Sequence, residues 1–235
     1  MPSISFILYK PAVPGNVGAS ARALKTMGFQ DLRLINPCDH LCDEARMLAH
    51  GSHDILESAR VYGSFEDAIK DLDLILATTA KTRSARFDYY SSRELINIVE
   101  NKAGSVEHIG IVFGTEESGL PNDIIQASDI AISIPMHAAY PSLNLSQSVM
   151  VMAYELSYLN APTSAGKEIS KETRGYRELK KRTEYILERA GIPSGTPLHH
   201  RIMERVAMLK ATDIPLLHSV TSKLEILLRS SKNQG

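Results

Sequence analysis

Three runs, residues 4–9 (ISFILY), 72–77 (LDLILA) and 108–113 (HIGIVF), are apolar at nearly every position rather than at alternate ones. A strand with one wet face alternates apolar and polar residues. Continuous runs of this length therefore point to strands covered on both faces, as in a largely parallel sheet clothed by helices. Shorter runs at 32–35 and 130–134 extend the pattern. Between the runs, helical spacing covers 18–27, 43–50, 66–70, 94–101, 122–127 and 145–159. Gly28 reads as the stop of the first helix, and Pro14-Gly15-Asn16 reads as the loop that leads into it. The pattern predicts an α/β domain.

The apolar–polar pattern changes at Asn160-Ala-Pro-Thr-Ser-Ala-Gly166, which reads as a linker. Beyond it, helical spacing over 172–190 and 198–230 is broken by Gly191-Ile-Pro-Ser-Gly-Thr-Pro197. The expected organisation is a domain over 1–160 and a helical extension over 161–235. Net charge divides at the same place. Residues 1–160 hold 12 Lys+Arg and 19 Asp+Glu (−7), whereas 161–235 hold 14 and 8 (+6), together the −1 of the chain. A basic appendage on an acidic body suits either a phosphate-rich partner or a solvated helical surface. The N-terminus lacks a signal-peptide pattern, and no apolar stretch approaches the ~20 residues of a membrane span. Two cysteines, Cys38 and Cys42, make no disulfide framework. A cytoplasmic protein without a membrane partner is expected.

Three loops carry the residues suited to chemistry. The first, Pro14-Gly15-Asn16-Val17-Gly18-Ala19-Ser20-Ala21-Arg22, opens a helix of small residues that another backbone or ligand can approach closely. Its plain alternative is a helix start with a surface arginine. The second, Val112-Phe113-Gly114-Thr115-Glu116-Glu117-Ser118-Gly119-Leu120, follows a strand as phosphate-binding loops do. Leu120-Pro121 stands where a P-loop needs Lys-Ser/Thr, however, and no GxGxxG fingerprint occurs. Two carboxylates suit a ligand with hydroxyls or a positive charge better than a triphosphate. The third is Ile134-Pro135-Met136 followed by Tyr140-Pro141-Ser142-Leu143-Asn144-Leu145. There Ser142 or Asn144 either caps the next helix or faces a ligand at its N-terminus. Thr78, Thr79 and Ala80 also lie past a strand's carboxyl end, where open α/β sheets bind ligands. Lys81, Arg83 and Arg86 add a basic cluster beside them.

Together these loops resemble the three motifs of the TrmH/TrmJ branch of the SPOUT RNA 2′-O-methyltransferases. Asn16-x-Gly18-x-x-x-Arg22 with Lys25-Thr-Met-Gly28 is similar to the first. Phe113-Gly-Thr-Glu116-x-x-Gly119-Leu120 is similar to the second, and Ile134-Pro135 through Ser142-Leu-Asn-Leu145 to the third. The likeness spans residues 3–159 and is nearest the TrmJ-like tRNA/rRNA methyltransferases; the extension resembles theirs only loosely. It implies S-adenosyl-L-methionine as methyl donor, a homodimer, and a trefoil knot in which the chain after Phe113 threads an earlier loop. It also implies that Thr78, Thr79, Ala80, Gly114, Ile134, Ser142 and Leu143 hold the cofactor. Arg22 is the implied catalytic arginine, with Asn16, Glu116, Ser142 and Asn144 at the target ribose, and it is expected to serve the opposite subunit's site. A 2′-hydroxyl acceptor demands RNA rather than DNA, tRNA before rRNA on this likeness.

An arginine with a pKa above about 12 is a poor general base. Arg22 is therefore expected to grip the phosphate beside the target and polarise the hydroxyl, with Glu116 or Ser142 relaying the proton. Two other functions compete: a non-catalytic RNA-binding relative, against which the intact Asn16, Arg22, Glu116, Ser142 and Asn144 argue, and a nucleotide-dependent dehydrogenase, against which the missing glycine fingerprint argues. Cys38, His40 and Cys42, with His50 and His53, match no metal-ligand spacing, and no metal is expected.

Overall fold

In a computed structural model, residues 1–80, 88–137, 143–160 and 175–230 are described. The chain begins β1 (Ser3–Tyr9), α1 (Pro14–Thr26), β2 (Asp31–Ile35), α2 (Asp43–Leu48), α3 (His53–Glu57), β3 (Arg60–Tyr62), α4 (Phe65–Ile69) and β4 (Leu74–Thr78). It continues with β5 (Tyr89–Ser91), α5 (Leu95–Asn101), β6 (His108–Phe113), α6 (Asn122–Ala127), β7 (Ile130–Ser133) and α7 (Leu145–Ser157). The C-terminal helices are α8 (Gly175–Arg189), α9 (Pro197–Ala207) and α10 (Ile214–Ser230).

The seven strands form one sheet in the order β3-β2-β1-β6-β4-β7-β5. Every pairing is parallel, as the continuous apolar runs require. The sheet's two faces bury separate clusters. Phe6, Leu8, Ile111 and Phe113 pack on one side with Leu24, Val149 and Met152; Ile7, Ile75 and Val112 pack on the other with Phe65, Ile124 and Ile125. Successive residues of one strand thus enter opposite cores, which leaves little room for polar residues; Ser5 in β1 and Arg33 in β2 are buried there with partners, Asp31 and Asp71.

Three elements depart from the sequence reading. The helix expected to begin at Gly18 begins at Pro14, because proline's fixed φ and missing amide suit a first helical position. The Pro14-Gly15-Asn16 segment is therefore helix, not loop. Strands β3 and β5 are three residues each, too short to show a periodicity. The tail, with helical spacing over 172–190 and 198–230, reads as two or three helices, and its described residues form three, α8, α9 and α10.

The C-terminal helices dock onto the α/β body and extend its core. Tyr176, Leu179, Ala207 and Ile214 belong to the same buried cluster as Leu95, Val106 and Ile130. Among the described residues three ion pairs join the parts: Arg177–Asp73 at 2.7 Å, Lys180–Asp129 at 2.5 Å, and Arg205–Asp88. In each the cation belongs to the extension and the anion to the body. The charge asymmetry of the sequence is thus in part complementarity between two regions of one chain, a use neither earlier explanation contained. Lys102, 1% exposed, completes the seam: its ammonium donates to the carbonyl of Leu209 at 2.6 Å and lies 4.7 Å from the centroid of the Tyr176 ring.

Candidate active site

The carboxyl ends of β6, β4 and β7 lie side by side in the sheet. Gly114, Thr78 and Ile134, expected to hold a cofactor, therefore emerge together. The Thr78 hydroxyl donates to the Val112 carbonyl at 2.9 Å, and the Thr79 amide donates to the Ile132 carbonyl at 2.9 Å. These bonds tie the end of β4 to both of its neighbours. Thr115 and Gly119 exchange backbone hydrogen bonds of 3.2 and 3.0 Å, closing the second loop into a tight hairpin. A Cβ on Gly114 would sit 2.0 Å from the Gly119 carbonyl carbon and 2.1 Å from the Leu120 nitrogen, so only glycine fits there.

The hairpin aims Glu116 at the start of α1. Its carboxylate accepts from the Ala12 amide at 3.0 Å, the Val13 amide at 3.1 Å and the Asn16 side-chain amide at 2.9 Å. Burial opposes ionisation, but these donors outweigh it and hold the carboxyl below the usual range. The position also favours an anion because it sits at a helix N-terminus. Asn16 then extends the chain: its side-chain oxygen accepts from the Asn144 side-chain amide at 2.8 Å. Asn144 keeps its oxygen for the Ser146 amide at 2.8 Å and, with Gln147, makes the capping box of α7. Capping and facing the site were alternatives in the sequence; Asn144 caps α7 with one end of its amide and bonds Asn16 with the other.

One continuous path, Glu116–Asn16–Asn144, therefore links the three loops across sequence separations of 100 and 128 residues. The first loop is held from behind by α2. A Cβ on Gly18 would fall 2.0 Å from the Ala45 carbonyl oxygen, and Glu44 accepts from the Gly15 amide at 3.3 Å. Sequence reading missed Glu44 and the Ala12 and Val13 amides. The available signal for the amides was the helix start that Pro14 marks, since the amides at a helix N-terminus have no intrahelical partner.

Arg22 stands apart. It is exposed, forms no ion pair among the described residues, and lies almost two turns beyond Asn16 on α1. A six-residue step turns roughly 120° from Asn16 and climbs about 9 Å, so this chain's own loop cluster does not include it. Leu143 is half-buried beside Asn144. Ser142, and with it Lys81, Arg83 and Arg86, lies outside the described residues. Among the described residues, no group of three or more His, Cys, Asp or Glu side chains is arranged to hold a metal. No helix among them is long and apolar enough to cross a membrane.

A parallel sheet with three hydrogen-bonded loops at its carboxyl edge defines an α/β protein with a composite candidate site. Residues 3–154 match the model of the SpoU rRNA Methylase family, and the chain belongs to that family. Residues 173–228 match the C-terminal domain of the tRNA/rRNA methyltransferase LasT. The chain is 36% identical to the uncharacterized tRNA/rRNA methyltransferase LasT of Escherichia coli K12, over 94% of this chain and 97% of that one. It is 38% identical to the tRNA (cytidine-2′-O-)-methyltransferase TrmJ of Methanocaldococcus jannaschii, over 65% of this chain and 66% of that one. The crystal structure of TrmJ from Zymomonas mobilis superposes with a TM-score of 0.64 at 26% identity, covering 96% and 99% of the two chains.

Proposed function

We propose that this protein is an RNA 2′-O-methyltransferase that uses S-adenosyl-L-methionine, with tRNA as its favoured substrate and rRNA as the alternative. The observation that carries the reading is the hydrogen-bonded path Glu116–Asn16–Asn144, which unites the three loops at the carboxyl edge of the sheet. Membership in the SpoU family and the names of the TrmJ relatives support the same chemistry.

The cofactor fits the residues present. Thr78, Thr79, Ala80, Gly114, Ile134 and Leu143, with Ser142, would hold it through backbone groups and small or apolar side chains. None of these carries a positive charge to repel a sulfonium. When bound, S-adenosyl-L-methionine supplies the methyl group and a neutral thioether leaving group. Positioning the nucleophile is what remains, and good alignment is worth ~7–11 kcal/mol of barrier. Asn16 and Asn144 supply that alignment on the ribose side, fixed by each other and by Glu116. With both carboxylate oxygens engaged and its pKa depressed, Glu116 organises the site rather than accepting a proton. This departs from the relay expected from the sequence and leaves Ser142 for it.

The protein acts as a homodimer in which Arg22 of one protomer serves the loops of the other. Its exposure and its distance from its own Asn16 support that role. There its planar guanidinium grips the phosphate next to the target ribose and polarises the hydroxyl. The chain after β6 forms the trefoil knot of the family, supported by the placement of β6 between β1 and β4 and of β7 between β4 and β5. Residues 1–160 form the methyltransferase domain, and 161–235 form a helical extension whose cations, beyond those that dock it, add phosphate contacts. Replacing the target nucleotide of an RNA substrate by its 2′-deoxy form is expected to abolish methyl transfer; retained transfer to that nucleotide would place the chemistry on a base.

A further inference from the structure

Strand β5 has three residues, lies at the edge of the sheet and pairs with β7 alone among the strands. A strand so short contributes little to its own placement. Its C-terminal end runs into the capping box of Ser91 and Glu94 and the buried helix α5; at its start it is held through one residue upstream. The Asp88 amide donates to the Glu204 carboxylate at 3.0 Å, and the Asp88 carboxylate pairs with Arg205. Two consecutive residues of α9, more than a hundred positions away in sequence, therefore hold one residue by its backbone and by its side chain.

Glu204 is an unusual choice for a packing position. It is 6% exposed, and burying a carboxylate is costly unless it is well paired. Burial and the nearby Asp88 charge raise its pKa, against the opposing pull of the Asp88 amide, Arg205 and Arg201. An aliphatic residue would fill the same volume at lower cost but would leave the Asp88 amide without this acceptor. The Arg205–Asp88 pair alone is mostly exposed and by itself adds little. The buried carboxylate is explained by what it holds.

Beyond the clamp, β5 runs along β7 in the register Tyr89↔Ala131, Tyr90↔Ile132 and Ser91↔Ser133. The Ser133 hydroxyl also donates to the Tyr90 carbonyl at 3.4 Å. On its other edge β7 accepts the Thr79 amide at Ile132, and its chain continues directly into Ile134. Both residues belong to the proposed cofactor cradle, so the cradle's outer wall is stapled in place through β5.

We propose that Glu204 and Arg205 are positioning residues for the methyl-donor site: by fixing Asp88 they hold β5 in register on β7, and so hold Thr79 and Ile134. The helical extension is then a working part of the cofactor site in its own chain, in addition to any contact it makes with RNA. This inference rests on the proposed function.

The test is calorimetric binding of S-adenosyl-L-methionine to the full-length protein, with methyl-transfer kinetics and melting temperatures measured in parallel. Glu204→Ala is expected to weaken cofactor binding about ten-fold, with kcat at saturating cofactor within about two-fold of wild type. Glu204→Gln keeps an oxygen for the Asp88 amide and is expected to restore affinity. Arg205→Ala, at an exposed position, is expected to give a smaller loss of about three-fold, and it serves if Glu204→Ala fails to fold. Arg177→Ala removes a docking ion pair remote from β5 and is expected to leave affinity unchanged. Unchanged affinity in both Glu204→Ala and Arg205→Ala overturns the inference. So does an equal loss in Arg177→Ala, which would mean that docking stability alone is being read. If the wild type itself binds no cofactor, the proposed function falls and this inference with it; wild-type binding with unaffected variants removes the inference alone.

Discussion

Lys102 provides a quantitative test of how the extension is docked. Its ammonium is 1% exposed and bonded to the Leu209 carbonyl. Burial lowers its pKa from 10.5 to about 8, with Asp129 only partly opposing the drop. The protonated form is therefore disfavoured in the folded chain relative to the unfolded one. That cost is fully present below pH 8, shrinks as the pH rises and vanishes above 10.5, so Lys102 makes the protein more stable at alkaline pH. A drop of this size corresponds to ~3 kcal/mol, of which about 2 kcal/mol is recovered between pH 7 and pH 9.5.

Other groups titrate in the same window, so the informative quantity is a difference. Lys102→Met keeps the length of the side chain, removes the buried charge and leaves the Leu209 carbonyl without its donor. At pH 7 the relief from burying a charge and the loss of that bond, about 1–3 kcal/mol, oppose each other, and the two proteins are expected to be of similar stability. Urea denaturation of both at a series of pH values is expected to show the wild type gaining about 2 kcal/mol on Lys102→Met between pH 7 and pH 9.5. Parallel pH profiles would refute the reasoning, because the lysine would then be hydrated in the folded chain and the seam would not be dry.

Gly114→Ala forces a Cβ to within 2.0 Å of the Gly119 carbonyl carbon; the hairpin must open, and cofactor affinity is expected to fall at least ~100-fold, beyond the usual reach of one lost contact. A calorimetric titration near wild-type affinity would count against the cradle. Arg22→Ala and Asn144→Ala are each expected to be nearly inactive, yet mixed and refolded together they should recover roughly a quarter of wild-type activity. Half of the dimers would then be mixed, each with one intact composite site; no recovery would argue that Arg22 serves its own protomer. Truncation after residue 160 removes Tyr176, Leu179, Ala207 and Ile214 from a shared core. The fragment's melting temperature is expected to fall by several degrees or more, about 4 °C for each kcal/mol lost, and an unchanged value would make the extension energetically independent.

The strands were legible where burial on both faces left little room for polar residues. His108–Phe113 is a strand over the residues its apolar run marked, and the runs at 4–9 and 72–77 fall on β1 and β4 with shifts of one or two residues at their ends. Glycine positions were legible too, because the spacing of Gly114 and Gly119 marks a tight loop whatever the fold. The partner of Glu116 was not legible: nothing local to the second loop says that its carboxylate reaches back to Ala12, Val13 and Asn16. Nor was the docking of the extension. Lysines and glutamates read as surface residues, yet Lys102 and Glu204 are buried because a carbonyl and an amide from distant segments meet them. The basic tail shows the same limit. Its composition allowed an RNA partner, but composition does not distinguish cations facing solvent from Arg177, Lys180 and Arg205, which face the body's own carboxylates.

The most direct test of the function is transfer of labelled methyl from S-adenosyl-L-methionine to purified tRNA and rRNA by the full-length protein, followed by nucleoside mass spectrometry. The expected result is a 2′-O-methylated nucleoside in tRNA, formed by the wild type and lost in Arg22→Ala. A label on a base, or wild-type transfer by Arg22→Ala, would contradict it.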